Sequence, residues 1–270
     1  MDWGVLPHQV RVSADGQLAI LLTRGNPAQR GQHSSSAEMP DPGALKVFEY
    51  KAGTLGEEVS VAPGDGRRFG PRSLDFHPTA PWVFVSLQLQ NRLQVFRREG
   101  KRILPEPLFE RDLLADPVNP PCVYQRGGEV HVHPNGKFVY CVNRADVPAD
   151  YQGRKVLIGA DNSFVVFALD EATGEPTLIQ RIDTMGIEPR TFSLHSGGRM
   201  LVAANGETHL VKAGDEIREV AANLAVFEVR SDGTLRFIRK YDMPVPLTNY
   251  SPASGNFGSD ELYWAGFVDY

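Results

Sequence analysis

The sequence has few cysteines, no long apolar segment and no excess of basic residues, and each lack excludes a class of protein. Only two cysteines, Cys122 and Cys141, occur in 270 residues. This excludes a disulfide-stapled scaffold and leaves their pairing and the redox compartment open. The longest apolar runs, such as Leu18–Leu22, have the length of a strand, so no membrane span is predicted. A formal net charge of −5, without a basic stripe, argues against nucleic acid as a partner.

Helical periodicity, a secretory signal and metal-ligand spacings are also missing. No apolar pattern of helical spacing exceeds about two turns, and the best helical candidate is Glu207–Ala222. A parallel sheet with crossover helices is therefore excluded. Neither a metal-ligand set nor a phosphate-binding glycine loop is found, so we predict no metal and no cofactor. The start of the chain has neither a basic head nor an apolar stretch, and the compartment stays open.

What the sequence does contain is internal repetition. Four segments share an alternating apolar run followed by a tight-turn tetrapeptide: VRVSADGQLAILL from Val10, LDFHPTAPWVFVSL from Leu74, VHVHPNGKFVYCVN from Val130 and FSLHSGGRMLVAAN from Phe192. Glycine is the fourth residue of three of these turns, where a hairpin often requires a positive φ, and Ala80 is the exception.

A second element follows each of these segments. The strings ALKVFEY, RLQVFRR, SFVVFAL and NLAVFEV have the alternation of strands, and a further turn leads to a fourth strand such as Thr177–Asp183 or Leu235–Tyr241. Such a four-stranded unit cannot bury both of its faces alone, so copies must stack. We predict an all-β fold, a β-propeller of four-stranded antiparallel blades. It forms one domain over 1–270, and Leu262–Val268 offers one additional strand.

The connections between second and third strands predict where function lies. They are long in three repeats, Asn26–Gly43, Ala145–Asn162 and Gly206–Asn223, and all three fall on one rim of the disc. First strands begin and second strands end at this rim. We therefore expect one shared opening lined by His8, Arg72, Gln88, His131, Asn143, Arg144, Arg190 and Asn205.

The residue types at this opening allow two readings. Arg72 and Arg190 each follow a proline, and a guanidinium fork suits bidentate capture of phosphate or carboxylate. They equally well pair with nearby carboxylates such as Glu129 or Glu188. His131 and His8 are candidates for a general base, with a structural hydrogen-bonding role as the alternative. The histidines of the opposite-face turns, at 77, 133 and 195, are interpreted as structural.

The strings GPRSLDFHPTAPWVFVSLQLQNRLQVF, EVHVHPNGKFVYCVNRAD and EPRTFSLHSGGRMLVAAN resemble the lactonase-type seven-bladed propellers, which include 6-phosphogluconolactonases and 3-carboxy-cis,cis-muconate lactonizing enzymes. The resemblance covers about residues 5–240 and implies site positions at His8, Arg72 and Arg190, with His131 as a recurrent histidine. Two positions depart from it: Gln88 stands where the family has glutamate, and Ser73 where it often has histidine. Four repeats against seven imply that N-terminal blades are missing, which leaves open blade edges.

From this resemblance we expect hydrolysis of a sugar-acid lactone such as 6-phosphogluconolactone. Arg72 and Arg190 would clamp an anionic substrate, and His131 or His8 would assist water. Gln88, Asn143, Arg144 and Asn205 would contact the substrate. If the family glutamate is essential, Glu129 or His131 must replace it. The alternatives are a non-catalytic propeller that binds a small anion or a protein, and a muconate-type lactonizing enzyme. Open blade edges also predict self-association.

Overall fold

A computed structural model describes residues 3–25, 41–120, 125–145, 147–159, 161–247 and 264–268. Within these ranges the chain is almost entirely β-strand, and the one helical element is a 3-10 turn at Pro63–Gly66. A helix with the length and apolarity to cross a membrane does not occur among these residues. The predicted all-β class is confirmed.

Each of the four repeats forms one blade, with its strands hydrogen-bonded in chain order. Blade one contains β1 Pro7–Val12, β2 Leu18–Thr23, β3 Ala44–Lys51 and β4 Thr54–Val61. Blade two contains β5 Pro71–Phe76, β6 Trp82–Leu87, β7 Arg92–Glu99 and β9 Phe109–Asp112, with the short β8 Arg102–Ile103 beside the end of β7. Blade three contains β10 Arg126–Val132, β11 Phe138–Arg144, β14 Ser163–Leu169 and β15 Pro176–Asp183. Blade four contains β16 Pro189–Leu194, β17 Met200–Asn205, β20 Asn223–Val229 and β21 Leu235–Asp242.

Two of the insertions fold into a fifth sheet. It consists of two hairpins, β12 Pro148–Tyr151 with β13 Arg154–Leu157, and β18 His209–Ala213 with β19 Glu216–Val220. The hairpins join through one parallel pairing, Leu157 with Val211. Glu207–Ala222, the best helical candidate in the sequence, is therefore not a helix. Gly214-Asp215 is a two-residue hairpin loop between paired strands, and this turn chemistry outweighs the weak helical pattern.

Apolar side chains that alternate along the strands are buried between successive blades. Three clusters result, one at each junction, and each takes the inward residues of both flanking sheets. The predicted positive φ is confirmed in the turns: Gly136 and Gly198 adopt 74° and 68°. A Cβ atom at either glycine would also lie within 2.6 Å of a histidine ring of the preceding blade.

Two further sequence-based expectations concern the C-terminal segment and the cysteines. Residues 264–268 form no strand, so the additional strand predicted at Leu262–Val268 is not found there, and its first residues lie outside the described ranges. Cys141 is a buried free thiol whose pKa is raised by desolvation. Cys122 lies outside the described ranges, so the structure does not test whether it forms a disulfide bond.

Candidate active site at one rim of the propeller

The first strand of every blade is irregular at the same place. In blades one, two and four the register skips one residue directly after a proline, and the skipped residues are His8, Arg72 and Arg190. In blade three it skips Gly128 and Glu129. A bulge re-aims a side chain away from the regular alternation of a strand. The four bulges therefore explain why side chains from distant repeats converge at the rim.

Repeat positions group the side chains of the first strands into three tiers, counted from the rim inward. The rim tier comprises His8, Arg72, Gly128 and Arg190; the middle tier comprises Gln9, Ser73, Glu129 and Thr191; the inner tier comprises Arg11, Asp75, His131 and Ser193. First strands of neighbouring blades contact one another. As a result, hydrogen bonds form within a tier, between blades.

Arg72 connects the rim tier. It is only 4% exposed, and its Nη1 lies 2.9 Å from Nε2 of His8. Because a guanidinium can only donate, Nε2 of His8 is the acceptor. The second amino group, Nη2, donates to the backbone carbonyl of Arg190 at 3.2 Å. Arg72, from blade two, thus links blade one to blade four.

The middle tier holds a carboxylate. Oε1 of Glu129 accepts hydrogen bonds from Nε2 of Gln9 at 3.3 Å and from Oγ of Ser73 at 3.4 Å. Gln9 is itself fixed, because its Oε1 accepts from the backbone N–H of Leu74 at 2.7 Å. Blades one, two and three therefore meet at Glu129.

His131 belongs to the inner tier, which corrects its predicted place at the rim. It lies two residues from the turn histidine, whereas His8 lies five residues from the equivalent Ser13. Its Nε2 is 3.1 Å from the carbonyl oxygen of Phe192, and its Nδ1 is 3.4 Å from Nη2 of Arg11. Asp75 lies 3.6 Å from the same Nδ1. Both ring nitrogens of His131 thus have partners, and His131 lies in the inner tier, whereas Arg72 and Arg190 lie in the rim tier.

The ends of the second strands add further cations. Arg24 donates from Nη1 to Oε1 of Gln88 at 3.2 Å, and Gln88 is 3% exposed. Arg144 donates to Oε2 of Glu188 at 2.5 Å, and both side chains are buried. Arg126 pairs in register with Arg144. The rim therefore carries five arginines, at 24, 72, 126, 144 and 190.

Asn143 and Asn205 do not line the opening, contrary to the prediction. Both are fully buried, and their amides donate to backbone carbonyls of Leu113 and Thr184, at 2.7 and 2.8 Å. Asn205 is the last residue of β17 and Asn143 the last but one of β11, and there each amide satisfies a carbonyl of an adjacent connection. Their hydrogen bonds attach the ends of these strands to the neighbouring connections.

The crowding of cations shifts the pKa values of the rim groups. Desolvation and then the charge of Arg72, with three further arginines, lower the pKa of His8 to about 3. Desolvation, followed by the charge of Arg144, lowers the pKa of Arg72 to about 9, so its guanidinium stays charged at neutral pH. Desolvation and neighbouring arginines also lower the pKa of Arg24. Burial alone would raise the pKa of Glu188, but Arg144 outweighs it and brings this pKa below the usual value.

Sequence reasoning missed part of this arrangement. Arg126 and Gln9 were not among the predicted site residues, and Glu188 was considered only as an ion-pair partner. Aligning the four repeats on their turns would have placed Gln9 beside Ser73 and Glu129, and His131 beside Arg11. The described part of the chain contains no group of three or more His, Cys, Asp or Glu residues that fits a metal ion.

Comparisons with known proteins agree with this architecture. The sequence model of one family, described as "Lactonase, 7-bladed beta-propeller", matches residues 36–214. The 6-phosphogluconolactonase of Bacillus subtilis is 30% identical over 177 residues, which are 62% of this chain and 43% of that protein. The 6-phosphogluconolactonase of Formosa agariphila is 30% identical over 152 residues, 55% of this chain and 36% of that protein. The chain thus spans less than half the length of these relatives.

Solved structures show the same fold. The periplasmic gluconolactonase PpgL of Pseudomonas aeruginosa superposes with a TM-score of 0.59 at 23% identity, over 87% of this chain and 54% of that one. A putative 6-phosphogluconolactonase from Bacteroides fragilis gives 0.57 at 20% identity, over 87% and 55%. In both cases this chain corresponds to a little more than half of the neighbour.

Proposed function

Because this chain belongs to the lactonase family of seven-bladed β-propellers, we propose that it hydrolyses the lactone of a sugar acid. The leading substrate is 6-phosphogluconolactone, the substrate in the names of its curated relatives. The site proposed for this reaction is the rim built from His8, Arg72 and Arg190, with Gln88 and Arg144 beside it.

One observation carries the proposal: the five arginines at 24, 72, 126, 144 and 190 lie close together at the rim, and among the described residues the carboxylates that act on Arg72 are Glu129 and Glu188. Burial and the charges of neighbouring arginines lower the pKa values of Arg24 and Arg72, as expected where cations repel one another and are poorly hydrated. An anion bound among them would relieve both penalties, and a phosphate or carboxylate matches the guanidinium fork. A phosphorylated lactone fits this charge better than a neutral one.

The reaction assigns chemistry to these groups. Water must add to the carbonyl carbon of the lactone and lose one proton. The ring oxygen must then leave as a hydroxyl group. Arg72 and Arg190 supply positive charge for the oxygen that becomes negative in the tetrahedral intermediate. His8 or His131 is the sequence-based candidate to assist the attacking water.

Arg190→Ala tests this function against Arg199→Ala, an arginine exposed on the opposite face of the same blade. Hydrolysis of 6-phosphogluconolactone is followed by proton release, with the spontaneous rate subtracted. We expect Arg190→Ala to lower kcat/KM by about 10²-fold, the usual effect of losing one charge-stabilising group, and Arg199→Ala to leave it unchanged. Equal rates for wild type and Arg190→Ala would contradict the proposal.

A non-catalytic anion-binding propeller is the second candidate, and Gln88 favours it. A glutamine amide accepts no proton as a base, and here its oxygen already accepts a hydrogen bond from Arg24. If the product 6-phosphogluconate raises the Tm while no lactone is turned over, this second function is correct.

A further inference from the structure

Glu129 has a place in the site that the proposed function has not used. It stands in the bulge of blade three, in the middle tier, one residue further along the first strand than His8, Arg72 and Arg190 in their bulges. In those three blades the bulge carries a charged or titratable side chain. In blade three the only such side chain is that of Glu129.

The residue before Glu129 is a glycine, and the packing of the bulge requires it. Gly128 takes the rim-tier position of blade three, directly before Glu129 in the chain. A Cβ atom at Gly128 would lie 2.4 Å from Cγ1 of Val142, so no side chain fits at this position. Arg72 donates from Nη2 to the carbonyl of Arg190 in blade four, and its guanidinium is close enough to Glu129 to feel its charge. The negative charge of Glu129 also raises the pKa of Arg72 against the other influences on it.

Among the carboxylates near the axis that the structure describes, Glu129 has the longest contacts. Glu188 is buried in its ion pair with Arg144. Asp75 accepts from the backbone N–H groups of Phe76 and Val132, at 3.0 Å each. Glu129 receives two long hydrogen bonds from neutral groups, and its Oε1 also lies 3.9 Å from Nε2 of His131. Within the described ranges no arginine or lysine forms an ion pair with it. Its side chain is 19% exposed, and its contacts with described residues all involve Oε1, which leaves Oε2 for a reacting water.

The two histidines are less suited to accept a proton from water. The lone pair on Nε2 of His8 is used by Arg72. His131 is held between the carbonyl of Phe192 and the guanidinium of Arg11, in the inner tier. A general base must have a free lone pair within hydrogen-bond reach of the reacting water.

We propose that Glu129 is the general base of the lactonase reaction and that it takes the place of the carboxylate missing at Gln88. The inference rests on the proposed function. As the water oxygen bonds to the carbonyl carbon, one water proton moves to Glu129 while Arg72 faces the oxyanion. When the bond from the carbonyl carbon to the ring oxygen breaks, the same proton passes to that oxygen and Glu129 is regenerated. The product forms as a carboxylic acid that keeps the second water proton, and it releases this proton to the solvent to become the carboxylate. Gln9 and Ser73 are positioning residues that hold Oε1.

The test compares Glu129→Gln and Glu129→Ala with Glu57→Gln, an exposed glutamate on β4. With 6-phosphogluconolactone we expect both Glu129 variants to lower kcat by about 10²- to 10⁴-fold, the range typical of general-base removal. KM should stay within about 3-fold of wild type, since such a base acts in the transition state rather than in ground-state binding. Added formate should restore part of kcat in Glu129→Ala, because a small carboxylate can enter the space of the lost side chain. Formate should not help Arg190→Ala.

Several outcomes decide the matter. Wild-type kcat in Glu129→Gln overturns the assignment while the lactonase function stands. The assignment is also overturned if Glu129→Gln has a lower Tm and no longer binds 6-phosphogluconate, and if formate restores no activity to Glu129→Ala. These results together would show that Glu129 has a structural role. No turnover by the wild-type protein overturns the proposed function, and the base assignment with it.

Discussion

At the scale of single residues, the pair Arg144 and Glu188 shows how the rim holds charge in a buried place. Both side chains are at most 6% exposed and are joined by a 2.5 Å hydrogen bond. Glu188 also adopts a left-handed backbone conformation, φ 50°, which is unfavourable for a residue with a side chain. The ion pair and the backbone strain at one position indicate that Glu188 fixes the backbone conformation directly before Pro189 and Arg190.

We predict that Glu188→Gln lowers the free energy of unfolding by about 3–5 kcal/mol at pH 7, because it leaves the charge of Arg144 buried and unpaired. The folded-state pKa of Glu188 is below its unfolded value, so its stabilisation is complete above the unfolded pKa. It is lost as the pH falls through the folded pKa, and the difference between variant and wild type should shrink there.

Urea unfolding of both proteins at a series of pH values measures this effect. Glu228→Gln is the matched control, since Glu228 pairs with Arg236 at the surface and such exposed pairs contribute little to stability. An equal loss in the two variants would show that burial of the pair does not matter.

At the scale of elements, blades are connected by histidines of the turns opposite the site. Nε2 of His77 is 2.8 Å from the carbonyl of Gly136 in the next blade, and Nε2 of His133 is 2.8 Å from that of Gly198. In His133, Nδ1 accepts the backbone N–H of Asn135, so Nε2 must carry the proton. One imidazole thus shapes its own turn and binds the next blade.

His133→Asn should separate these two roles, because the asparagine oxygen can replace Nδ1 in the turn but cannot reach Gly198. We expect it to lower the free energy of unfolding by about 1–3 kcal/mol, the cost of a buried carbonyl left without a donor. The control is Lys137→Ala in the same hairpin, whose ion pair with Glu171 is exposed. Thermal and urea unfolding measure both; a His133→Asn protein as stable as the control would refute the role of the inter-blade bond.

The same turns explain how much of the fold the sequence predicts. Each turn fixes a register, and alternation then defines the strands, so the predicted fourth strands at 177–183 and 235–241 differ from β15 and β21 by one residue each. The fifth sheet was not predictable in this way, because its joining pair, Leu157 and Val211, comes from two insertions far apart in the chain. The predictions for the site residues divide in the same way as those for the strands. Arg72 and Arg190 share a Pro-Arg signature, whereas His131 is assigned to its tier only by its distance from the turn histidine, because the segments that precede the turns do not start at equivalent positions in the repeats.

At the scale of the whole molecule, the series of blades has one uncovered apolar face. Val10 and Val12 are 63% and 46% exposed. The equivalent positions on the first strands of later blades are Leu74 and Phe76, Val130 and Val132, and Phe192 and Leu194, and all of these pack into the clusters between blades. Blade one therefore presents to solvent a surface that the other blades bury. We propose that 1–270 forms one propeller domain whose series of blades is open at this face.

We predict that the chain self-associates through this face, because exposed apolar side chains on a blade surface gain free energy when another surface covers them. Light scattering after size-exclusion chromatography should show species larger than the monomer, growing with concentration. The double variant Val10→Lys, Val12→Glu should shift them toward monomer with unchanged circular dichroism, since both side chains point away from the core of blade one. Ile158→Lys, at an exposed position beside the fifth sheet, should not. A sharp wild-type monomer at all concentrations would mean that the open face is covered from within the chain.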